Sequence, residues 1–223
     1  MSIHIRKGIE KIKALFLEIG TMVEENTARA VRALEERDRE LAGKTIEFDL
    51  EIDEMEVNVE EECLKVLALH QPVAVDLRFI VAVLKINNDL ERIGDLAVNI
   101  AERAEALADK PQVDLPMDFD KMAEVAQWML RKGLDALVNL DMELARDVCC
   151  RDDEVDEMNK EMYEQVKAGI KKEPEYMEQL IHLLCVSRHI ERIGDHATNI
   201  AEDVLYMGEG EIIRHKHECY SGE

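Results

Sequence analysis

A sixteen-residue segment occurs twice in this chain of 223 residues, at positions 87–102 and 187–202. Ten of the sixteen positions are identical, and both copies contain the run Glu-Arg-Ile-Gly-Asp, at 91–95 and 191–195. Repetition at a fixed spacing, here 100 residues, is typical of a structural unit that is built more than once. The repeat therefore predicts two similar halves in one chain.

Each half also shows the hydrophobic period of three consecutive helices. Apolar residues recur at three- and four-residue steps, which is the spacing of one face of an amphipathic helix. The pattern predicts helices over 3–35, 38–69 and 72–107 in the first half, and over 119–139, 141–171 and 175–215 in the second. Asp38 and Asp141 are expected to cap the second helix of each half. We therefore predict an all-α protein of two tandem, pseudo-symmetric three-helix bundles.

The boundary between the bundles follows from the proline pattern. Residues 110–117, which include Pro111 and Pro116, have the composition of an inter-domain linker. The first bundle is expected to span residues 1–109 and the second residues 118–215, with a C-terminal tail at 216–223. The composition favours helices over strands because aromatic residues make up only 4% of the chain.

The third helix of each half carries a narrow stripe of oxygen-bearing side chains. On a helical wheel of ~100° per residue, these side chains fall within ~80° of the first glutamate and opposite the apolar residues. The stripe consists of Glu91, Asp95 and Asn99 in the first half and of Glu191, Asp195 and Asn199 in the second. Since this side faces away from the core, folding alone does not require the acids.

The preceding helix of each half carries a matching pair of acids. These pairs are Asp49 with Asp53 and Asp152 with Asp156, each four residues apart. In the first half Glu56 and Glu60 extend the same face, and the second half lacks acids at the equivalent positions. Two such helices would gather four carboxylates in each half.

This gathering of acids predicts a metal site. Glu91 precedes Asp95 by four residues, a like-charge spacing that costs a few tenths of a kcal/mol on an exposed helix. A multivalent cation relieves the repulsion, and oxygen ligands alone favour Mg, Mn, Fe or Ca over a thiolate-type Zn site. The alternative is an acidic face that is only solvated. The recurrence of the acids beside Gly94 and Gly194 favours the metal site.

Motifs that indicate catalysis do not occur in the sequence. There is no Glu-x-x-His of the kind that builds di-iron sites, no His-Glu-x-x-His and no Gly-rich phosphate loop. His182, His189 and His196 align on the last helix without counterparts in the first copy, so we expect packing or interface roles for them. We predict that the chain is not an enzyme. The alternatives are a metal-dependent helical-bundle enzyme, a metal-storage protein and a purely structural scaffold.

Charge and cysteine content limit the partners and the compartment. The net charge of −22 argues against nucleic-acid binding, because phosphate-directed affinity comes from clustered Lys and Arg. No apolar run approaches the ~20 residues of a membrane-spanning helix, and no signal peptide is visible. Five scattered cysteines without a Cys-x-x-Cys motif are typical of reduced thiols. We therefore expect a cytoplasmic protein.

Three segments together resemble the PhoU family of phosphate-transport accessory regulators. They are His-Gln-Pro-Val-Ala-Val-Asp-Leu-Arg at 70–78, the first Glu-Arg-Ile-Gly-Asp at 91–95, and the segment 188–202. The resemblance extends from about Phe16 to His215. It implies two similar three-helix bundles and a protein that forms homodimers.

The resemblance also implies function and site residues. Some family members bind metal clusters, including iron, at acidic motifs that correspond here to Glu91 with Asp95 and Glu191 with Asp195, and less directly to Asp49, Asp53, Asp152 and Asp156. Fe, Mn, Mg and Zn are the candidate metals, in sites of one or several ions. The family represses the phosphate-starvation response in contact with the phosphate-transporter ATPase and a phosphate-sensing histidine kinase. Asp76 and Arg78, in the segment 70–78, are candidate partner-binding residues.

Overall fold

The computed structural model of the chain describes residues 3–113 and 118–209 and contains only helices and connections there. The α-helices are α1 (Ile3–Glu36), α2 (Arg39–His70), α3 (Val75–Ala108), α4 (Phe119–Asn139), α5 (Met142–Cys150), α6 (Asp152–Lys172) and α7 (Met177–Glu209), with a 3₁₀ turn at Pro174–Tyr176. Helices α1 to α3 form one three-helix bundle, and α4 packs with α5, α6 and α7 in the other. The predicted all-α fold of two three-helix bundles is confirmed.

The second helix of each bundle begins at the aspartate that the sequence identifies as a cap. The side chain of Asp38 accepts a hydrogen bond of 3.0 Å from the amide of Leu41. The side chain of Asp141 accepts an equal bond of 3.0 Å from the amide of Leu144. Each cap satisfies one of the amide groups that the start of a helix leaves unpaired. The two halves therefore turn from their first into their second helix in the same way.

The residue before each cap adopts the left-handed conformation although neither is a glycine. The φ angle is 56° at Arg37 and 54° at Leu140, which lie 103 residues apart. The guanidinium of Arg37 donates hydrogen bonds to the backbone carbonyls of Leu107 and Lys110, at the end of α3. In the first half this residue therefore ties the α1–α2 turn to the end of the third helix, and Leu140 has no side-chain donor to do the same.

One predicted helix, 141–171, is wrong because it is divided at Arg151 into α5 and α6. The amide of Arg151 bonds to the carbonyl of Val148, and the amide of Glu154 bonds to the carbonyl of Arg151, each over three residues at 3.1 Å. Such bonds tighten the backbone beyond the α-helical pitch. The guanidinium of Arg151 lies 4.1 Å from the ring centre of Trp128 in α4. The break thus coincides with a contact between two helices.

Two other predicted boundaries differ from the structure. The third helix begins at Val75 rather than at Pro72, because Ala74 has a φ of 49° and interrupts the helical path. The last helix is described to Glu209, and positions 210–215 of its predicted span lie outside the described residues. The domain limits and the linker at 110–117 stay predictions, since residues 114–117 and the tail at 216–223 are also outside the description.

The core lies where the repeated segment predicts it. The apolar side chains of α3 and α7 that have no exposed surface include eight that form four equivalent pairs 100 residues apart. These residues are Leu90, Ile93, Ala97 and Ile100 in α3 and Ile190, Ile193, Ala197 and Ile200 in α7. Burial of such side chains is the main favourable term in folding. The acidic stripe of the same helices is left on the opposite side.

The two bundles pack against each other along α3 and α7. Two ion pairs and one hydrogen bond cross this seam: Lys85 with Asp203 at 3.4 Å, Lys110 with Glu178 at 3.1 Å, and His196 with Asp89 at 2.8 Å. The partners of residues 85, 89 and 110 are residues 203, 196 and 178. Because the second set of numbers falls as the first rises, α3 and α7 run antiparallel. The expected interface role of His196 is confirmed. None of the helices in 3–113 and 118–209 is long and apolar enough to cross a membrane.

Candidate functional site

The first acidic site lies between α2 and α3. Burial, together with the negative charges of Asp53, Asp95 and Glu91, raises the pKa of Asp49 to about 6. The four carboxylates therefore lie within electrostatic reach of one another, since exposed charges further apart are screened. The structure therefore brings together the four acids that the sequence assigns to the first half.

Glu56 adds a fifth carboxylate to this site. Its pKa is raised by burial and by the charges of Glu60 and Asp53. The side-chain amide of Asn87 donates hydrogen bonds to the backbone carbonyl of Glu56 at 2.9 Å and to its carboxylate at 3.2 Å. Glu91 responds to the same surroundings, since burial and the charges of nearby acids, including Asp95, raise its pKa. The first site thus extends one helical turn beyond the four expected acids.

The second acidic site lies between α6 and α7 and uses the equivalent residues. Burial raises the pKa of Glu191, and the charges of Asp195, Asp156 and Asp152 act in the same direction. Burial and the charge of Asp156 also raise the pKa of Asp195. The four acids assigned to the second half are therefore gathered as well.

A hydroxyl group supports the second site and was missed from the sequence. The side chain of Thr198 donates a hydrogen bond of 3.2 Å to a carboxylate oxygen of Asp152. On the helical wheel Thr198 lies within ~20° of Glu191, so it falls on the acidic stripe. Its counterpart in the first half is Val98, which cannot donate a hydrogen bond. The sequence signal that could have identified Thr198 is its polar side chain at a position on the acidic stripe.

The two asparagines of the stripe have different surroundings from the acids. The side-chain amide of Asn99 donates a bond of 2.7 Å to the backbone carbonyl of Asp95, in its own helix. Asn199 is exposed on α7. The side chain of Asn99 is therefore hydrogen-bonded to its own helix beside the site. The side-chain carbonyl oxygen of Asn99 or of Asn199 is the atom that a cation would bind.

The glycine of the repeated motif makes room for the first site. A Cβ atom at Gly94 would lie 2.9 Å from a carboxylate oxygen of Asp49, closer than real contacts allow. At Gly194 the corresponding distances are 3.8 Å to Asp152 and 3.6 Å to Val155, which are ordinary contacts. A neighbouring side chain therefore approaches Gly94 closely, while Gly194 has space for a methyl group.

The donor set of both sites fits a hard cation. All charged ligands are carboxylates, and their mutual repulsion disfavours several of them being ionised together without a counter-charge. In the described residues, no group of three or more His, Cys, Asp or Glu side chains is placed so that it could hold a metal ion. With the side chains in these positions, a cation at either site would take most of its ligands from water, and closer coordination would require the carboxylates to move together.

The two candidate partner-binding residues lie apart from the acidic sites. Asp76 stands in the first turn of α3, where a negative charge is favourable at the helix start. Arg78 is exposed two residues further along α3, about 200° around the helix from Asp76 and next to the exposed side chains of Val75 and Leu77. These residues form a mixed charged and apolar surface at the beginning of α3.

These features define a duplicated, all-helical protein with a pair of equivalent acidic surface sites. The model of the PhoU domain matches residues 16–104 and again residues 119–204, so it matches each half separately. The chain therefore belongs to the PhoU family, which confirms the resemblance seen in the motifs.

Relatives with the same name are similar over almost the whole chain. The phosphate-specific transport system accessory protein PhoU homolog of Aquifex aeolicus is 38% identical, over 97% of this chain and 98% of the relative. The homolog of Pseudomonas aeruginosa is 36% identical over 93% of this chain and 86% of its own length. These names describe accessory proteins rather than enzymes, which agrees with the prediction that the chain is not an enzyme.

Solved structures of the family share the fold. The crystal structure of PhoU from Pseudomonas aeruginosa matches with a TM-score of 0.86 at 35% identity, covering 92% of this chain and 99% of that one. The phosphate transport system regulatory protein PhoU from Streptococcus pneumoniae matches with a TM-score of 0.84 at 27% identity, covering 93% of this chain and 98% of that one. The arrangement of the helices is therefore that of the family.

Proposed function

We propose that this chain is a cytoplasmic accessory regulator of phosphate uptake, which represses the phosphate-starvation response when phosphate is ample. It acts through protein–protein contacts rather than through catalysis. The names of its relatives support this role, since they are accessory proteins of a phosphate-specific transport system. The partners are the transporter ATPase and a phosphate-sensing histidine kinase, and the regulator works as a homodimer.

The two acidic sites bind metal cations in this proposal. The observation that carries it is the recurrence, in both halves, of four gathered carboxylates on faces that the core does not need. The residues that would hold the cations are Asp49, Asp53, Glu91 and Asp95 in the first site and Asp152, Asp156, Glu191 and Asp195 in the second. The amide oxygens of Asn99 and Asn199 are additional ligands. Oxygen ligands suit Fe, Mn or Mg better than Zn.

The carboxylates couple metal binding to the spacing of two helices. Asp49 and Asp53 lie on α2, whereas Glu91 and Asp95 lie on α3, so their repulsion acts across a helix pair. A bound cation supplies the positive charge that offsets this repulsion. The side chains then hold α2 and α3 at a fixed distance, which stabilises one shape of the surface that partners contact. Asp76 and Arg78, at the start of the same α3, belong to that surface.

Metal analysis of paired variants tests the sites. Glu91→Ala with Asp95→Ala should remove the metal of the first site, and Glu191→Ala with Asp195→Ala that of the second, as measured by inductively coupled plasma mass spectrometry after purification without chelator. Glu157→Ala with Glu161→Ala is the matched control, because these exposed acids have the same four-residue spacing on α6. Unchanged metal content in both site variants would contradict the assignment.

A reporter assay tests the regulatory role separately. Deletion of the chain should raise expression of a phosphate-starvation reporter in cells grown with ample phosphate, and the wild-type chain should restore repression. Restored repression by a chain with both acidic sites removed would separate the regulatory role from metal binding. A deletion that leaves the reporter repressed would show that the chain is not such a regulator.

A further inference from the structure

An apolar stripe runs along the outer face of α2 and is not covered by any helix of the described chain. Leu50, Val57 and Leu64 are exposed to 67%, 49% and 51% of their surface. They are seven residues apart, so at ~100° per residue they lie within ~40° of each other. A repeat of seven is the spacing with which one helix packs along another. We call these three residues the α2 stripe.

The second half shows that the fold does not need the α2 stripe. The equivalent positions of α6, 103 residues later, are Asp153, Lys160 and Lys167. All three are exposed, and the lysines pair with glutamates of their own helix. The same helix of the same bundle is therefore polar where α2 is apolar. An apolar patch that folding does not require is typical of an interaction surface.

Acidic side chains border the α2 stripe on both sides. On the wheel, Glu47, Glu54 and Glu61 lie on one side of the stripe, and Asp53 and Glu60 lie on the other. All five are exposed, and none forms a salt bridge within the residues that the structure describes. Asp53 belongs to the first acidic site, which leaves Glu47, Glu54 and Glu61 on one side of the stripe and Glu60 on the other. An apolar stripe bordered by these carboxylates is complementary to a helix with an apolar face and basic flanks.

The surface beside the α2 stripe is concave rather than flat. An open groove of about 590 Å³ lies between α1 and α2, and Leu64 and Leu15 are among the residues that line it. Glu61, Lys11 and Lys65 also line this groove, so apolar, acidic and basic groups face the same space. The groove gives the end of the stripe a site into which a partner side chain can insert.

We propose that the α2 stripe docks an amphipathic helix of a partner protein, one with apolar side chains at heptad spacing and Lys or Arg on either side of them. A second copy of this chain is a poorer occupant, because its own stripe would bring carboxylates against carboxylates. The inference rests on the proposed role in protein–protein regulation and adds the surface and the chemistry of the partner.

A synthetic peptide of about three heptads tests this proposal directly. It carries Leu at the apolar positions and Lys at the flanking positions, and its affinity for the full chain is measured by isothermal titration calorimetry. One control peptide has Glu in place of Lys, and another keeps every Lys but has Gln in place of Leu. We expect only the first peptide to bind. Equal binding of the Gln peptide would show charge attraction alone and would overturn the proposal.

Variants then locate the binding on α2. Leu50→Gln, Val57→Gln and Leu64→Gln together leave the net charge unchanged and should weaken binding of the Leu/Lys peptide about tenfold or more, because three apolar contacts are lost. Circular dichroism checks that the triple variant is folded. We expect it to fold, because the equivalent positions of α6 carry polar residues. Glu54→Gln with Glu61→Gln should weaken binding less and reduce its dependence on salt. Unaltered affinity in the triple variant would overturn the proposal.

Two further measurements separate the remaining outcomes. If sedimentation equilibrium shows that the triple variant turns a dimer into a monomer, the stripe is covered by a second copy and the proposed occupant is wrong. In the reporter assay the triple variant should lose repression. A triple variant that still represses, while deletion of the chain does not, would overturn the docking surface and leave the regulatory role intact.

Discussion

The two acidic sites share four acids but differ in what surrounds them. In the first site Glu56, held by Asn87, adds a fifth carboxylate. In the second site Asn159 stands at that position and accepts a hydrogen bond of 2.8 Å from Ser187. Thr198 instead supports Asp152 there. The second site is therefore less negative, and one of its four shared acids, Asp152, accepts a hydrogen bond from a hydroxyl group.

This comparison separates what both sites need from what each has added. The four acids and the neighbouring glycine recur, whereas Glu56, Thr198 and the residues around them do not. A requirement of the site would be expected to appear in both halves, because both bundles are built in the same way. We therefore expect the four shared acids to determine whether a cation binds, and the unshared residues to set how tightly it binds.

The largest effect should come from the buried residue that both halves share. Ile93→Ala and Ile193→Ala should each lower the free energy of unfolding by about 2–5 kcal/mol, since both side chains are completely buried. We expect similar losses and a single unfolding transition in each variant, because α3 and α7 join the halves. Chemical denaturation followed by circular dichroism measures both. Two separate transitions would show that the halves unfold independently.

The glycine of the motif should distinguish the sites more sharply. Gly94→Ala should displace the carboxylate of Asp49 and weaken metal binding at the first site, because the added methyl group would lie 2.9 Å from it. Gly194→Ala should leave the second site intact and stabilise α7 by up to ~1 kcal/mol. Metal titration and thermal unfolding give the two readouts. Equal effects of both substitutions would show that the glycines have the same role.

Stability without metal should depend on pH through Asp49. Its pKa is about 6 in the folded protein, above the usual value of 3.8 for an aspartate. The folded state therefore binds more protons than the unfolded state between these values, so the stability of the metal-free chain falls as pH rises through about 4 to 6.

Asp49→Asn should remove this part of the pH dependence. The measurement is the melting temperature of both proteins at several pH values in chelator. The comparison must be made as a difference between the two proteins, because His189 acts in the opposite direction. Burial lowers the pKa of His189 from its usual value of 6.5 to about 4. The contribution of His189 to stability is therefore lost as the pH falls below about 6.5. Parallel pH profiles for the two proteins would contradict the role given to Asp49.

The smallest effect is expected at the left-handed turn residues. Leu140→Gly should raise stability slightly, by less than ~1 kcal/mol, because glycine adopts a positive φ without strain. Arg37→Gly should lower it, because the hydrogen bonds from its side chain to the end of α3 are lost. Thermal unfolding at matched concentrations compares the two. A gain in both variants would show that those hydrogen bonds contribute little.

The sequence predicted the features that depend on neighbours along the chain. The caps at Asp38 and Asp141 and the buried face of α3 follow from local hydrogen bonding and from the helical period. The division at Arg151 could not be predicted in this way, because no glycine or proline marks it and Trp128 in another helix contacts the residue.

The sites were predictable to the same extent. The helical wheel placed the acids of each helix on one face, and the repeat indicated that the second and third helices of each half would share them, as the structure shows. The bond from Asn87 to Glu56 and the bond from Thr198 to Asp152 join different helices, so no spacing along the chain indicates them. The metal, the dimer and the partners stay predictions.

The ion pairs and the hydrogen bond between α3 and α7 make the two halves specific for each other. If two first halves were packed in the same geometry, Asp89 would face Leu96, and Lys85 would face Arg103, the residues that lie 100 positions before His196 and Asp203. One contact would bury an unpaired acid, and the other would oppose two positive charges. The charges of each half therefore complement the other half rather than a second copy of the same half. A separated first half should accordingly bind a separated second half and should not bind another first half.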